Sequence, residues 1–148
     1  MLQDTQKKLN LAHDICVYAH KGQTDKAGQP YYLHPESVAA QVNEPNEKIV
    51  ALLHDVLEDT DFPISVLEAL FGGDVMEALK LLNHDKSVPY LDYVKELCKN
   101  NFARAVKIAD LKHNMDLSRI PEPTEKDYAR VEKYKKALKF LEDKKIDF

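Results

Sequence analysis

"LLHDVLEDTD", residues 52–61, sets His54, Asp55, Glu58, Asp59 and Asp61 directly behind two leucines. Wound as a helix, residues 49–59 put Ile49, Val50, Leu52, Leu53, Val56 and Leu57 in one broad apolar sector. His54, Asp55, Glu58 and Asp59 fall on the opposite side, in a sector about 140° wide by the same periodicity. The leucines tie this helix to a core, and the polar sector faces something else. A solvated acidic face is the bland alternative, but such faces usually mix in lysine. No Lys or Arg occurs between Lys48 and Lys80. Asp55 and Asp59 are four apart, and like charges at that spacing cost roughly a few tenths of a kcal/mol. A bound cation turns that repulsion into attraction.

Outward from this segment the chain reads as helix nearly throughout. A first helix is expected over about Thr5–His20, with Leu9, Ala12, Ile15, Cys16 and Ala19 on one stripe. "KGQTDKAGQP" breaks it with two glycines and a proline. A short helix follows Pro35, a residue suited to the first helical position. The "NEPN" turn at 43–46 leads into the acid-rich helix, "DFPIS" restarts the chain, and "FGGD" ends the next helix at its glycines. Further helices are expected over about Asp74–Leu82, from Pro89 to about Cys98, and over about Phe102–Leu117. Thr124 and Asp127 have capping-box spacing, so the last helix is expected to start at Glu125. No period-two alternation is long enough to demand a sheet. The expected fold is all-α, one domain over residues 1–148 with about eight irregularly packed helices.

Composition narrows the function classes. The chain has 148 residues, 44% apolar and 31% charged, which suits a globule with a core rather than a disordered chain. A formal charge of −4 supplies no overall field for nucleic acid. No run approaches the roughly 18 apolar residues that span a bilayer. The polar, amphipathic start "MLQDTQKKLNLAHD" is not a secretory signal. Cys16 and Cys98 read as small core residues, without a disulfide framework or a CxxC zinc motif. A cytoplasmic location is the expectation; an oligomeric state is not legible.

A divalent ion on His54 and Asp55 needs further ligands, and hard or borderline ions accept imidazole and carboxylate. His34, in "PYYLHP", precedes a proline that favours an extended backbone, which would project the imidazole from a fixed junction. Asp110, in "VKIADLKHN", lies on a helix otherwise lined with Ala, Val, Ile and Leu, so it needs a strong partner. On spacing alone, His34 and Asp110 are plausible ligands. A cap or salt bridge is the other reading of Asp110.

The order His34, His54-Asp55, Asp110 resembles the H…HD…D signature of the HD superfamily of metal-dependent phosphohydrolases. "AHKGQTDKAGQPYYLHP", "ALLHDVLEDTD" and "VKIADLKHNM" resemble three segments of the Rel/Spo-type alarmone hydrolases, which remove the 3′-pyrophosphate from (p)ppGpp. The likeness is to their small stand-alone members and runs from about His13 to about Leu141. It implies that His34, His54, Asp55 and Asp110 hold a divalent metal, typically Mn²⁺. Glu58 and Asp59 match the pair that activates and orients the attacking water. A metal lowers the pKa of water, and a carboxylate one turn away can accept the proton. Sequence does not divide that work between Glu58 and Asp59.

On the substrate side, the resemblance implies a small-molecule nucleotide, with Lys26, Asn114, Arg130 and Tyr134 in contact with it. For Lys26, Arg130 and Tyr134 a plain surface position is the other reading. Two positions depart from the family: Asp25 stands where an arginine is usual, and Asp116-Leu117 where the larger relatives have Arg-Thr. Asp25 keeps open a nucleotide monophosphatase or a phosphatase of an NADPH-type cofactor. A catalytically silent nucleotide-binding module is the third reading, against which the Glu58–Asp59 pair speaks. With no phosphate-cradling GxxxxGK[ST] loop, the chain is expected to hydrolyse alarmone and not to synthesise it. His84 reads as polar loop surface, His13 and His20 as core-boundary residues, and His113 as a packing residue or a support for the ligands. The "EKYKKALKFLEDKK" stretch reads as an amphipathic helix docked on the core.

Overall fold

The computed structural model describes residues 2–143, with side chains from Asp4 onward. The last two lysines of "EKYKKALKFLEDKK" lie outside the described residues. Among the described residues eight α-helices follow one another: α1 Leu2–Ala19, α2 Leu33–Ala40, α3 Pro45–Asp59, α4 Ile64–Phe71, α5 Gly73–Leu82, α6 Tyr90–Leu97, α7 Asn101–Asn114 and α8 Glu125–Asp143. A 3₁₀ turn spans Leu117–Arg119. Among the described residues the extended pairing is limited to one antiparallel bridge, Thr24 with Pro30. The fold is all-α, as the periodicity requires.

Local chemistry sets the helix ends. Pro45 occupies the start of α3 within a reciprocal cap, in which Glu44 and Glu47 each accept from the other's backbone. Asn100 caps α7 by accepting from Ala103 N at 3.0 Å. Gly72, at φ +79°, turns the chain between α4 and α5 where a side chain would be strained. Thr124 and Asp127 cap α8 as their spacing predicts, with Asp127 N donating to Thr124 Oγ1 and Thr124 N donating to Asp127 Oδ2.

Three boundaries differ from the sequence reading, the first being α1, which begins at Leu2 rather than at about Thr5. His34 is not extended: it lies in the first turn of α2, its N–H donating to Tyr31 O at 3.0 Å. Winding begins before the proline, and Pro35 sits where the N–H groups of a helix have no intrahelical acceptor, so its missing donor costs nothing. Helix α7 stops at Asn114 rather than Leu117. Asp116 accepts from Ser118 N at 3.0 Å and opens the 3₁₀ turn, competing with helix propagation.

The acid-rich helix is the hub. Helix α3 packs against α1, α2, α5 and α7, and Ile49, Val50, Leu53 and Val56 are buried to 1% exposure or less. Leu53 touches the centre of this core, so Leu53→Ala is expected to cost about 2–5 kcal/mol. Denaturant unfolding checks this, with a lower midpoint at unchanged slope. Helix α2 packs on both α3 and α7, and that triangle carries the site.

Candidate functional site

The three segments converge at the α2–α3–α7 junction. His34 Nε2 lies 2.8 Å from Asp110 Oδ1 and 3.8 Å from Asp55 Oδ2. His54 Nε2 lies 3.2 Å from Asp55 Oδ2 and 3.4 Å from Asp110 Oδ1. All four residues are buried. Atoms bound to one ion at about 2.0–2.2 Å lie about 3 Å apart, which is the spacing found here.

Each of the four is oriented by a neighbour. His54 Nδ1 faces Ala51 O at 2.5 Å, and its buried Nε2 has no hydrogen-bond partner. A ring committed as donor at Nδ1 presents a lone pair at Nε2, as a metal ligand must. His34 Nδ1 meets His113 Nδ1 at 2.6 Å, with the rings stacked. Tyr31 Oη donates to Asp55 Oδ2 at 2.6 Å. Asp110 accepts from Lys107 Nζ at 3.1 Å and from Asn114 Nδ2 at 3.2 Å. The salt bridge read as an alternative for Asp110 is thus present on one oxygen, while the other oxygen faces the imidazoles.

The electrostatics favour a cation at this point. Burial alone would raise the carboxyl pKa of Asp110, but Lys107 and the two imidazoles hold it well below the ordinary value. Asp55 is likewise held down to about 2, burial being outweighed by His54. Burial disfavours charge on His54, yet Asp55 and Asp110 raise its pKa well above the imidazole norm, so a proton on Nε2 stands in for the cation and a metal would displace it. Two ionised carboxylates and an orphaned imidazole nitrogen in a dry pocket fit a divalent metal.

Glu58 and Asp59 bring carboxylate oxygens within 4.8 Å of each other and of Asp55, and each also lines a hollow of its own. Glu58 walls a pocket of about 240 Å³ together with Asp110, Lys107 and Asn114. Asp59 lines a separate groove with Tyr18, Gln23 and Phe62. Both carboxyls are raised, first by burial; Asp55 and Asp59 add to it at Glu58, and Asp55 does so at Asp59. Glu58 Oε1 accepts from His84 N at 3.2 Å. His84 is therefore more than loop surface: its ring stacks on Tyr93 at 4.4 Å and its backbone holds Glu58.

A larger cleft of about 440 Å³ opens on the other side of His34, lined by Lys26, Tyr31, Asn114, Arg119, Arg130 and Tyr134 among others. All four residues read as substrate contacts line it. Lys26 and Arg130 both reach Asp127 Oδ1, at 3.0 and 3.1 Å. Asp25 also lines the cleft, with its carboxylate already engaged: its Oδ1 accepts from Ala27 N and Gln29 N, both at 2.9 Å, and its Oδ2 lies 3.8 Å from Arg119. Arg119, which the sequence reading passed over, brings a guanidinium to the cleft from the 3₁₀ turn. Tyr31 was missed in the same way, although "PYYLHP" places it three residues before His34. His20 is fully buried rather than at the core boundary, bonded to Gln23 at 2.8 Å.

Asp127 links helix cap and cleft. The Thr124 backbone N–H, then Lys26, hold its carboxyl well below the ordinary Asp value. A depressed folded-state pKa gives stability that is present above the unfolded pKa and is lost as pH falls through the folded one. Asp127→Asn is expected to lower the melting temperature at neutral pH, and the gap from wild type should close in strong acid. Thermal melts across pH measure this.

An all-helical fold that gathers two histidines and two aspartates at one buried point is that of the HD-type metal-dependent phosphohydrolases. The comparisons with known proteins agree. No family model matches the chain. It is 34% identical over 129 residues to the bifunctional (p)ppGpp synthase/hydrolase SpoT of Escherichia coli (strain K12), covering 76% of this chain and 18% of that protein. It is 32% identical over 137 residues to the guanosine-3′,5′-bis(diphosphate) 3′-pyrophosphohydrolase MESH1 of Mus musculus, covering 83% of this chain and 76% of the relative. A solved structure described as a metazoan ortholog of SpoT that hydrolyzes ppGpp superposes with a TM-score of 0.71 at 25% identity, over 90% of this chain and 84% of that one. The chain belongs to the Spo-type family of which MESH1 is a member, within the HD superfamily. It spans about a fifth of the length of SpoT, 18%. No helix among the described residues is long and apolar enough to cross a membrane.

Proposed function

We propose that the chain is a metal-dependent 3′-pyrophosphohydrolase of guanosine 3′,5′-bis(diphosphate) or a close analogue, acting in the cytoplasm as a single domain. Support comes above all from the approach of His34, His54, Asp55 and Asp110 within 2.8–3.8 Å across three segments. These four would hold the ion, and their mixed imidazole and carboxylate donors suit Mn²⁺. When bound, the ion neutralises a phosphate oxygen and lowers the pKa of water.

The rest of the work falls to the chain's own side chains. Hydrolysis breaks the bond between the ribose 3′ oxygen and its phosphorus and makes a bond from that phosphorus to a water oxygen. Glu58 takes the water's proton, and the 3′ oxygen leaves as a hydroxyl once it receives a proton, which Glu58 or solvent supplies. Glu58 suits the base because it shares a pocket wall with Asp110 and because burial raises its pKa toward the working range. Asp59, whose carboxylate lies within 4.8 Å of those of Asp55 and Glu58, keeps Glu58's pKa up and orients water. Lys26 and Arg130 face the larger cleft, where they can meet the 5′ phosphates, with Asn114 and Tyr134 as the wall that both spaces share.

Asp25 favours one alternative, a phosphatase of a nucleotide monophosphate or an NADPH-type cofactor. Its pairing with Arg119 lessens that case, since a guanidinium still reaches the cleft. Purified protein loaded with Mn²⁺ and given guanosine 3′,5′-bis(diphosphate), nucleoside monophosphates and NADPH is the test. Release of pyrophosphate from the first is expected. Orthophosphate from the others alone would replace this reading with the phosphatase.

A further inference from the structure

The smaller pocket beside Glu58 has two lining residues that the site described so far leaves unused, Tyr90 from α6 and Lys133 from α8. They stand beside Lys107 and Asn114 from α7 and Tyr134 from α8. Tyr90 Oη is buried and has no hydrogen-bond partner, whereas Tyr93 Oη, one turn on, donates to Leu82 O at 2.6 Å. A buried hydroxyl left without an acceptor is costly, so an acceptor is wanted there. Lys133 Nζ stands 4.2 Å from the centre of the Tyr90 ring. Its neighbours Arg130 and Lys135 pair with Asp127 and Glu132, but no carboxylate pairs with Lys133 among the described residues. Lys107 Nζ adds a second ammonium 6.0 Å from the same ring, with one of its three donors spent on Asp110. A hydroxyl donor without an acceptor and two ammonium groups around one small space select an anion with several oxygens.

We infer that Tyr90 and Lys133, with Lys107, hold the pyrophosphoryl group that is transferred to water, so that the released pyrophosphate departs from this pocket and the nucleoside from the larger cleft. The assignment to the released group rests on the proposed hydrolysis; the anion site does not. Glu58 lies in the same wall, on the side where water must attack, and Asn114 and Tyr134 separate the two spaces.

Calorimetric titration of inorganic pyrophosphate into the Mn²⁺-loaded full chain tests this, with wild type, Tyr90→Phe, Lys133→Gln and Arg130→Gln compared. Phenylalanine keeps the ring under Lys133, and Lys133 is an exposed residue of α8 that glutamine can replace, so both variants should fold. Each is expected to weaken pyrophosphate about tenfold, the loss of one hydrogen bond to a charged group. Guanosine 5′-monophosphate should bind them as it binds wild type, and Arg130→Gln should show the reverse preference. Pyrophosphate binding unchanged in both variants, or absent from wild type, would overturn the subsite. Failure to cleave guanosine 3′,5′-bis(diphosphate) with the titration pattern intact would remove the hydrolysis reading and leave the anion site standing.

Discussion

Glu58→Gln is expected to lower kcat by about 10²–10⁴, the range for loss of a general base, with metal content unchanged. Glutamine has nearly the same shape, and its side-chain oxygen can still accept from His84 N. What it cannot do is take a proton. The pH profile separates this from a structural effect. Glu58's pKa is raised, first by burial, with the His84 hydrogen bond opposing and Asp59 and Asp55 adding to it. Wild-type kcat/KM should therefore fall as pH drops through a value above the ordinary glutamate range, because a carboxyl that already carries its proton cannot take one from the water. The same shift carries an opposite sign for stability. A carboxyl whose pKa rises on folding favours the native state when protonated, so the fold loses that contribution as pH climbs past the folded pKa. At neutral pH the glutamine variant should be at least as stable as wild type. A glutamine variant that turns over at the wild-type rate would move the base elsewhere, with Asp59 the next residue to examine.

The fold was legible because helix periodicity is local. The stripe Ile49, Val50, Leu53 and Val56 defines a buried face without knowing what covers it, and Thr124 with Asp127 marks a helix start by spacing alone. Legibility fails where tertiary packing outvotes a local preference. Pro35 argues for an extended His34, yet the turn from Pro30 to His34 is wound by its own hydrogen bonds and the helix simply begins earlier. Within the site, His54-Asp55 and Asp110 could be singled out because polar residues on apolar helices call for an explanation. Most of the residues around them could not, His113 excepted. Tyr31, Arg119, Tyr90 and Lys133 are ordinary surface or core types in one dimension, and they acquire a role only when the turn before α2, α6, the 3₁₀ turn and α8 meet. Asp25 shows the same limit from the other side. As a letter it is a missing arginine; in the fold it braces its loop and draws Arg119 toward the cleft.

Asp55→Ala is expected to abolish turnover and to weaken the bound divalent ion by at least about 100-fold, since changes merely to groups supporting a ligand already cost about 10–100-fold. Asp55 is the better probe than Asp110. Removing Asp110 also strips the buried Lys107 ammonium of its carboxylate, and an uncompensated buried cation can unfold the chain by itself. Asp55 has no lysine or arginine attached; its oxygen lies among the two imidazoles and Tyr31 Oη. Tyr31→Phe supplies the graded control. It leaves every proposed ligand in place and removes only the hydrogen bond onto Asp55 Oδ2, so metal affinity should fall by about tenfold. Metal titration followed by calorimetry, with circular dichroism to check helix content, orders the three proteins. Wild type should bind more tightly than Tyr31→Phe, and Tyr31→Phe more tightly than Asp55→Ala, with activity falling in the same order. Equal metal affinity in all three would make Asp55 a structural acid and take the ion away from the place where α2, α3 and α7 meet.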